Sequence, residues 1–90
     1  MTNEEKLRFC ELAIEAVGAE TEAQEKRITS EADELITDQS LSVVWIFLLR
    51  QIGQAVEAGE DVFVDQVKEW LDSYLHRFSR FSQYPTKFRF

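Results

Sequence analysis

The sequence predicts an all-α fold, a small bundle of about four helices with an apolar central third helix and a short aromatic, basic C-terminal tail. Three observations lead there. Apolar residues recur at helical spacing in four separate stretches. Gly18, Gly59 and the one proline fall where those stretches should stop. The one run that reads equally well as a buried strand has no second strand to pair with. Ninety residues make one domain, and a chain of this length buries only about 60–65% of its unfolded surface, so its stability margin is thin. Residues 1–83 are read as that domain and 84–90 as a tail.

The first helix is expected at about residues 3–17. Thr2 and Glu5 have the spacing of a capping box, and Gly18 stands where a C′ glycine belongs. Leu7, Cys10, Ile14 and Val17 form a stripe that Phe9, Ala13 and Ala16 widen. Glu4, Arg8, Glu11 and Glu15 share the opposite side, with Glu4 and Arg8 spaced as an i,i+4 pair.

A second helix is expected at about 21–37, with Thr21 and Gln24 at its start. Glu22–Lys26 and Arg27–Glu31 are further i,i+4 pairs. Its apolar stripe is narrow (Ile28, Ala32, Leu35 and Ile36), and Thr29-Ser30 is a weak point at which the helix would restart.

The third helix, about 41–58, follows Asp38 or Ser40 as cap and stops at Gly59. Leu41, Val44, Trp45, Leu48, Ile52 and Ala55 keep the 3.6-residue period. Val43, Ile46 and Phe47 make the first half apolar nearly all round, the mark of a helix packed on several sides. Val43-Val44-Trp45-Ile46 alone suits a strand. The pattern, however, continues through Ile52 and Val56, which favours the helix.

The fourth helix, about 62–81 with Asp61 as cap, has the clearest pattern. Phe63, Val67, Trp70, Leu71, Tyr74, Leu75, Phe78 and Phe81 fall on one face, and Asp65, Glu69, Asp72, His76 and Arg80 on the other. Pro85 prevents continuation, because it lacks the backbone N–H and pushes its predecessor out of the α region. Trp45, Leu48 and Leu71 are expected to be buried.

Charge narrows the function classes. The chain has 17 acids and 10 bases, a net charge of −7, and it is uneven. Residues 1–38 hold 11 acids and 4 bases, residues 39–90 six of each. A net negative chain lacks the basic excess that nucleic acid or an anionic membrane would need. No apolar run approaches the about 20 residues of a membrane span. An acidic N-terminus without an apolar stretch is unlike a signal peptide, and a single cysteine forms no internal disulfide, so a cytoplasmic location is expected.

No catalytic constellation stands out, and no enzyme activity is expected. Cys10 lies on an apolar stripe, where a small buried hydrophobe is the simpler reading than a nucleophile. His76 is the only histidine, with Asp72 at i−4 as its partner, and one His with one Cys does not make a zinc ligand set. The sequence has no glycine-rich phosphate loop and no serine elbow. No metal or cofactor is expected.

What remains is binding. The first expectation is an inhibitor or adaptor whose acidic helical face, through Glu11, Glu15, Glu22, Glu25 and Glu31, docks on a basic surface of a protein target. A nucleic-acid-handling enzyme is one such target. The alternative is a self-associating subunit, a homodimer or larger ring. The C-terminal tail is the second candidate contact, through Tyr84, Lys87, Phe88, Arg89 and Phe90, since aromatics and arginine are enriched at interface hot spots. The competing reading has the same tail folding back to seal the core.

Overall fold

The computed structural model describes residues 2–82, with side chains to residue 77. Four helices make up the described chain: α1 (Asn3–Val17), α2 (Glu22–Leu35), α3 (Gln39–Glu57) and α4 (Val64–Ser82). The expected all-α bundle is therefore the observed one, and the run at Val43–Ile46 is helical. No helix of the described residues is long and apolar enough to cross a membrane.

The starts of the helices follow from local chemistry. Thr2 caps α1: its hydroxyl accepts from the Glu5 N–H at 3.1 Å, while the Thr2 N–H donates to Glu5 Oε1 at 2.9 Å. The bond from the Thr2 N–H, with the Thr2 hydroxyl adding to it, holds the Glu5 carboxyl below the usual carboxylate range. Thr21 caps α2 by accepting from the Gln24 N–H at 3.2 Å. Gln24 Oε1 then accepts from the N–H of Glu20, one residue outside the reciprocal box, at 3.0 Å. Asp38 caps α3 through the Leu41 N–H at 3.0 Å, so the helix begins two residues earlier than expected. Asp61 does not cap α4. That helix begins at Val64, and Phe63 precedes it, its carbonyl accepting from the N–H groups of Gln66 and Val67. Phe63 thus falls outside the helix and off the stripe assigned to it, and is 65% exposed.

The helix ends divide the roles of the glycines. Gly18 has φ −91° and needs no glycine-specific conformation, so α1 does not stop at a left-handed residue. Gly59 does: at φ +80° its N–H donates to Val56, and the Glu60 N–H donates to Ala55, the paired bonds of a Schellman ending. No atom would obstruct a methyl group there, so Gly59→Ala is expected to cost only the backbone strain, about 1–2 kcal/mol. A shift in denaturation midpoint measures it, and a neutral result would mean that this turn relaxes. Helix α2 runs through Thr29-Ser30 without a break.

The core has two parts that meet on α1. Phe9, Cys10 and Ala13 pack with Val44, Leu48 and Ile52 of α3 and with Val67 and Leu71 of α4. Leu12, on the adjoining side of α1, packs with Ile28 and Ala32 of α2. Trp45 touches both clusters and lies half-buried, with its ring edge-on to Phe9 at 5.1 Å. Leu48 and Leu71 are fully buried, as expected. Among the described residues α3 supplies five of the buried apolar side chains, more than any other helix, while α1 packs against all three of the others. The α1 stripe is offset from the expected one. Leu12 belongs to it, and Leu7, at 36% exposure, lies at its margin.

Candidate interaction surfaces

The groups that could carry chemistry are placed apart. Cys10 is fully buried in the main cluster, and burial pushes its thiol up to about 11, with Asp72 adding to the shift. That favours the neutral thiol over the nucleophilic thiolate. His76 is exposed on α4. Asp72, the acid at i−4 from it, has Oδ1 3.1 Å from Lys6 Nζ on α1, an ion pair between helices. Among the described residues, no group of three or more His, Cys, Asp or Glu is placed to hold a metal ion.

The second ion pair follows the same rule. The guanidinium of Arg8 donates to Glu31 Oε2 on α2, rather than to Glu4 on its own helix. The packing of α1 on α2 brings these two long side chains together at the exposed rim of their contact, where water screens the pair and it adds little to stability. Glu31 is therefore engaged within the molecule.

The five acids assigned to a binding face separate accordingly. Glu11 and Glu15 stand on successive turns of α1 and are exposed; Glu22 and Glu25 do the same on the first half of α2. At about 100° per residue, Glu31 lies about 180° around α2 from Glu22. The acidic surface is thus two short pairs rather than one continuous face. Where α1 ends and α2 begins, Glu15 lines a shallow recess with Gly18, Ala19, Gln24, Arg27 and Ile28, and neither Glu22 nor Glu25 lines it.

An apolar surface on α3, of the kind that the self-association alternative required, lies outside the residues assigned to a contact from the sequence. Val43, Ile46 and Phe47 are 39%, 59% and 37% exposed, on adjacent turns of one side. The apolar circumference of this helix had implied packing on several sides. Helix α3 packs mainly on α1 and α4, which cover two sides and leave this one open to water. Phe47 stacks on Tyr74 of α4 at 5.8 Å, and the Tyr74 hydroxyl donates to Gln51 Oε1, so the surface continues to the α3–α4 seam. Arg50, one turn on, is exposed beside it. The signal was in the sequence: α3 has more apolar residues than a two-sided contact can bury.

The tail candidates Tyr84, Lys87, Phe88, Arg89 and Phe90 lie outside the described residues, and the side chains of Phe78, Arg80 and Phe81 do as well. No protein-family model, no curated protein and no solved structure matches the chain.

Proposed function

We propose that this chain is a non-catalytic protein-binding module, an inhibitor or adaptor, whose acidic α1–α2 end docks on a basic surface of a partner protein. The observation that carries the reading is the exposure of Glu11 and Glu15 on α1 and of Glu22 and Glu25 on α2. They stand in a segment, residues 1–38, that holds 11 acids against 4 bases. Like charges on adjacent turns of a helix repel one another, and a basic partner surface relieves that repulsion. Complementarity of this kind acts on the rate and specificity of association more than on affinity. A basic channel that normally holds phosphates, as in a nucleic-acid-handling enzyme, is one surface of the required sign. The burial of Cys10 in its neutral form and the solvation of His76 and the surface carboxylates support the non-catalytic part.

The test is charge reversal. Immobilised protein is used to capture partners from a native lysate, and association with the captured protein is then timed at rising salt. Glu11→Lys with Glu15→Lys, and separately Glu22→Lys with Glu25→Lys, are expected to slow association by about tenfold or more while the helical circular dichroism stays unchanged. Raising salt is expected to slow the native protein likewise, since exposed charges are screened beyond about 8–10 Å. Association indifferent to both would remove the acidic end from the interface. A second reading, self-association as a homodimer, draws on the exposed Val43, Ile46 and Phe47, and the solution mass decides it.

A further inference from the structure

A shallow recess lies where the end of α3 meets the start of α4. Gln51, Gln54 and Ala55 of α3, Glu60 of the connection and Trp70 of α4 line it, and it holds about 210 Å³. Local chemistry places each of these groups. Gln51 and Gln54 are three residues apart and so share one side of α3. The Tyr74 hydroxyl, donating to Gln51 Oε1, holds the first of them. Ala55 is buried and short, which leaves room beside the half-buried Trp70. Glu60 is brought to the rim by the Schellman ending at Gly59, where its N–H donates to the Ala55 carbonyl at 3.0 Å.

Size and charge define the ligand. Drug-sized ligands take pockets of about 300–1,000 Å³, so this recess suits a single long side chain. Between Arg50 and Lys68 the sequence has four acids, Glu57, Glu60, Asp61 and Asp65, and no base. Neither Arg50 nor Lys68 lines the recess, and Glu60 forms no ion pair among the described residues. The local field is therefore negative and favours a cation. A carboxylate, two carboxamides and an indole around one recess suit a guanidinium better than an ammonium. The planar guanidinium carries five donors, is the more weakly hydrated cation and stacks on aromatic rings. A metal ion is poorly served, since a single carboxylate lines the site.

We propose, resting on the reading of a basic partner given above, that this recess anchors one arginine of that partner, with its guanidinium between Trp70 and the Glu60 carboxylate. The α1–α2 acids attract the partner, and the recess fixes its register.

The test uses the full chain and a short probe, acetyl-Gly-Arg-Gly-amide, with the indole N–H resonances of Trp70 and Trp45 followed by NMR. Saturable movement of the Trp70 resonance is expected, with a Kd on the order of millimolar. Trp45, packed against both core clusters, should stay unmoved. Glu60→Gln is expected to weaken binding by about fivefold or more, because a charge-assisted hydrogen bond becomes a neutral one. Glu57→Gln removes an equal charge that does not line the recess, and at 0.15 M salt it should change binding by less than about twofold. The same peptide with lysine in place of arginine should bind about threefold more weakly or worse. No movement at Trp70, movement of both indoles together, equal effects of the two glutamine substitutions, or equal binding of the lysine peptide would each overturn the proposal. Glu11→Lys with Glu15→Lys should leave peptide binding within about twofold, and a larger loss would assign the attraction to overall charge and overturn the site. A partner indifferent to the α1–α2 reversals removes that acidic end from the interface while the peptide result stands, so the two readings fail separately.

Discussion

Leu48→Ala is expected to lower the stability of the protein by about 2–5 kcal/mol, a large share of the 5–15 kcal/mol that domains generally possess. Leu48 is fully buried at the middle of α3, inside the cluster where α1, α3 and α4 meet. Truncation removes the transfer free energy of the lost methyl and methylene groups, and it leaves a cavity that packed neighbours fill only in part. Leu71, equally buried on the α4 side of the same cluster, should behave alike. For a domain of this size each kcal/mol moves the melting temperature by about 4–8 °C, so the loss should exceed about 8 °C. Val56→Ala, on an exposed part of the same helix, should stay within about 0.5 kcal/mol. Denaturant unfolding of the three variants measures the contrast. If Leu48→Ala and Val56→Ala had equal midpoints, the core would not lie between these helices.

The parts of this architecture that were legible in the sequence are those decided by neighbours along the chain. Thr2 with Glu5 and Thr21 with Gln24 cap helices through bonds spanning three residues that spacing alone indicates, while at α3 spacing left Asp38 and Ser40 as candidates and the bond to Leu41 selects Asp38. Gly59 could be read as a stop for a similar reason, because its positive φ is a local demand. The misreadings arise where a choice depends on what packs from elsewhere. Arg8 had an acid within reach on its own helix, and so did Glu31 a base, yet the contact between α1 and α2 paired them with each other. Asp72 was likewise drawn to Lys6 across the α1–α4 contact. The same limit applies to the candidate surface. Residue type marked the acids of α1 and α2, but only the packing separates Glu31 from Glu11, Glu15, Glu22 and Glu25. The periodicity of α3 showed that it was apolar all round, while the number of helices available to cover it is a property of the whole fold.

Phe9→Ala is expected to be the most damaging single truncation on α1, at about 3–5 kcal/mol, while Leu7→Ala, two residues away, should cost well under half as much. By periodicity alone Leu7 heads the apolar stripe and Phe9 only widens it. The packing reverses that order. Phe9 is fully buried in the main cluster, and its ring meets the Trp45 edge at an interplanar angle of 65°, the edge-to-face arrangement that aromatic quadrupoles favour. Trp45 in turn touches the second cluster, with Leu12, Ile28 and Ala32. Losing the Phe9 ring therefore empties space in the α1–α3–α4 core and removes a support for the tryptophan that links it to α2. Leu7 retains more than a third of its surface in water and has much less to lose. Thermal unfolding of both variants, followed by near-ultraviolet circular dichroism of Trp45 and Trp70, separates the two positions. Phe9→Ala should weaken the tryptophan signal before the helix signal is lost, and Leu7→Ala should leave it intact. Equal destabilisation by the two substitutions would mean that α1 is rotated about its axis, with Leu7 turned inward and the contact between Phe9 and Trp45 absent.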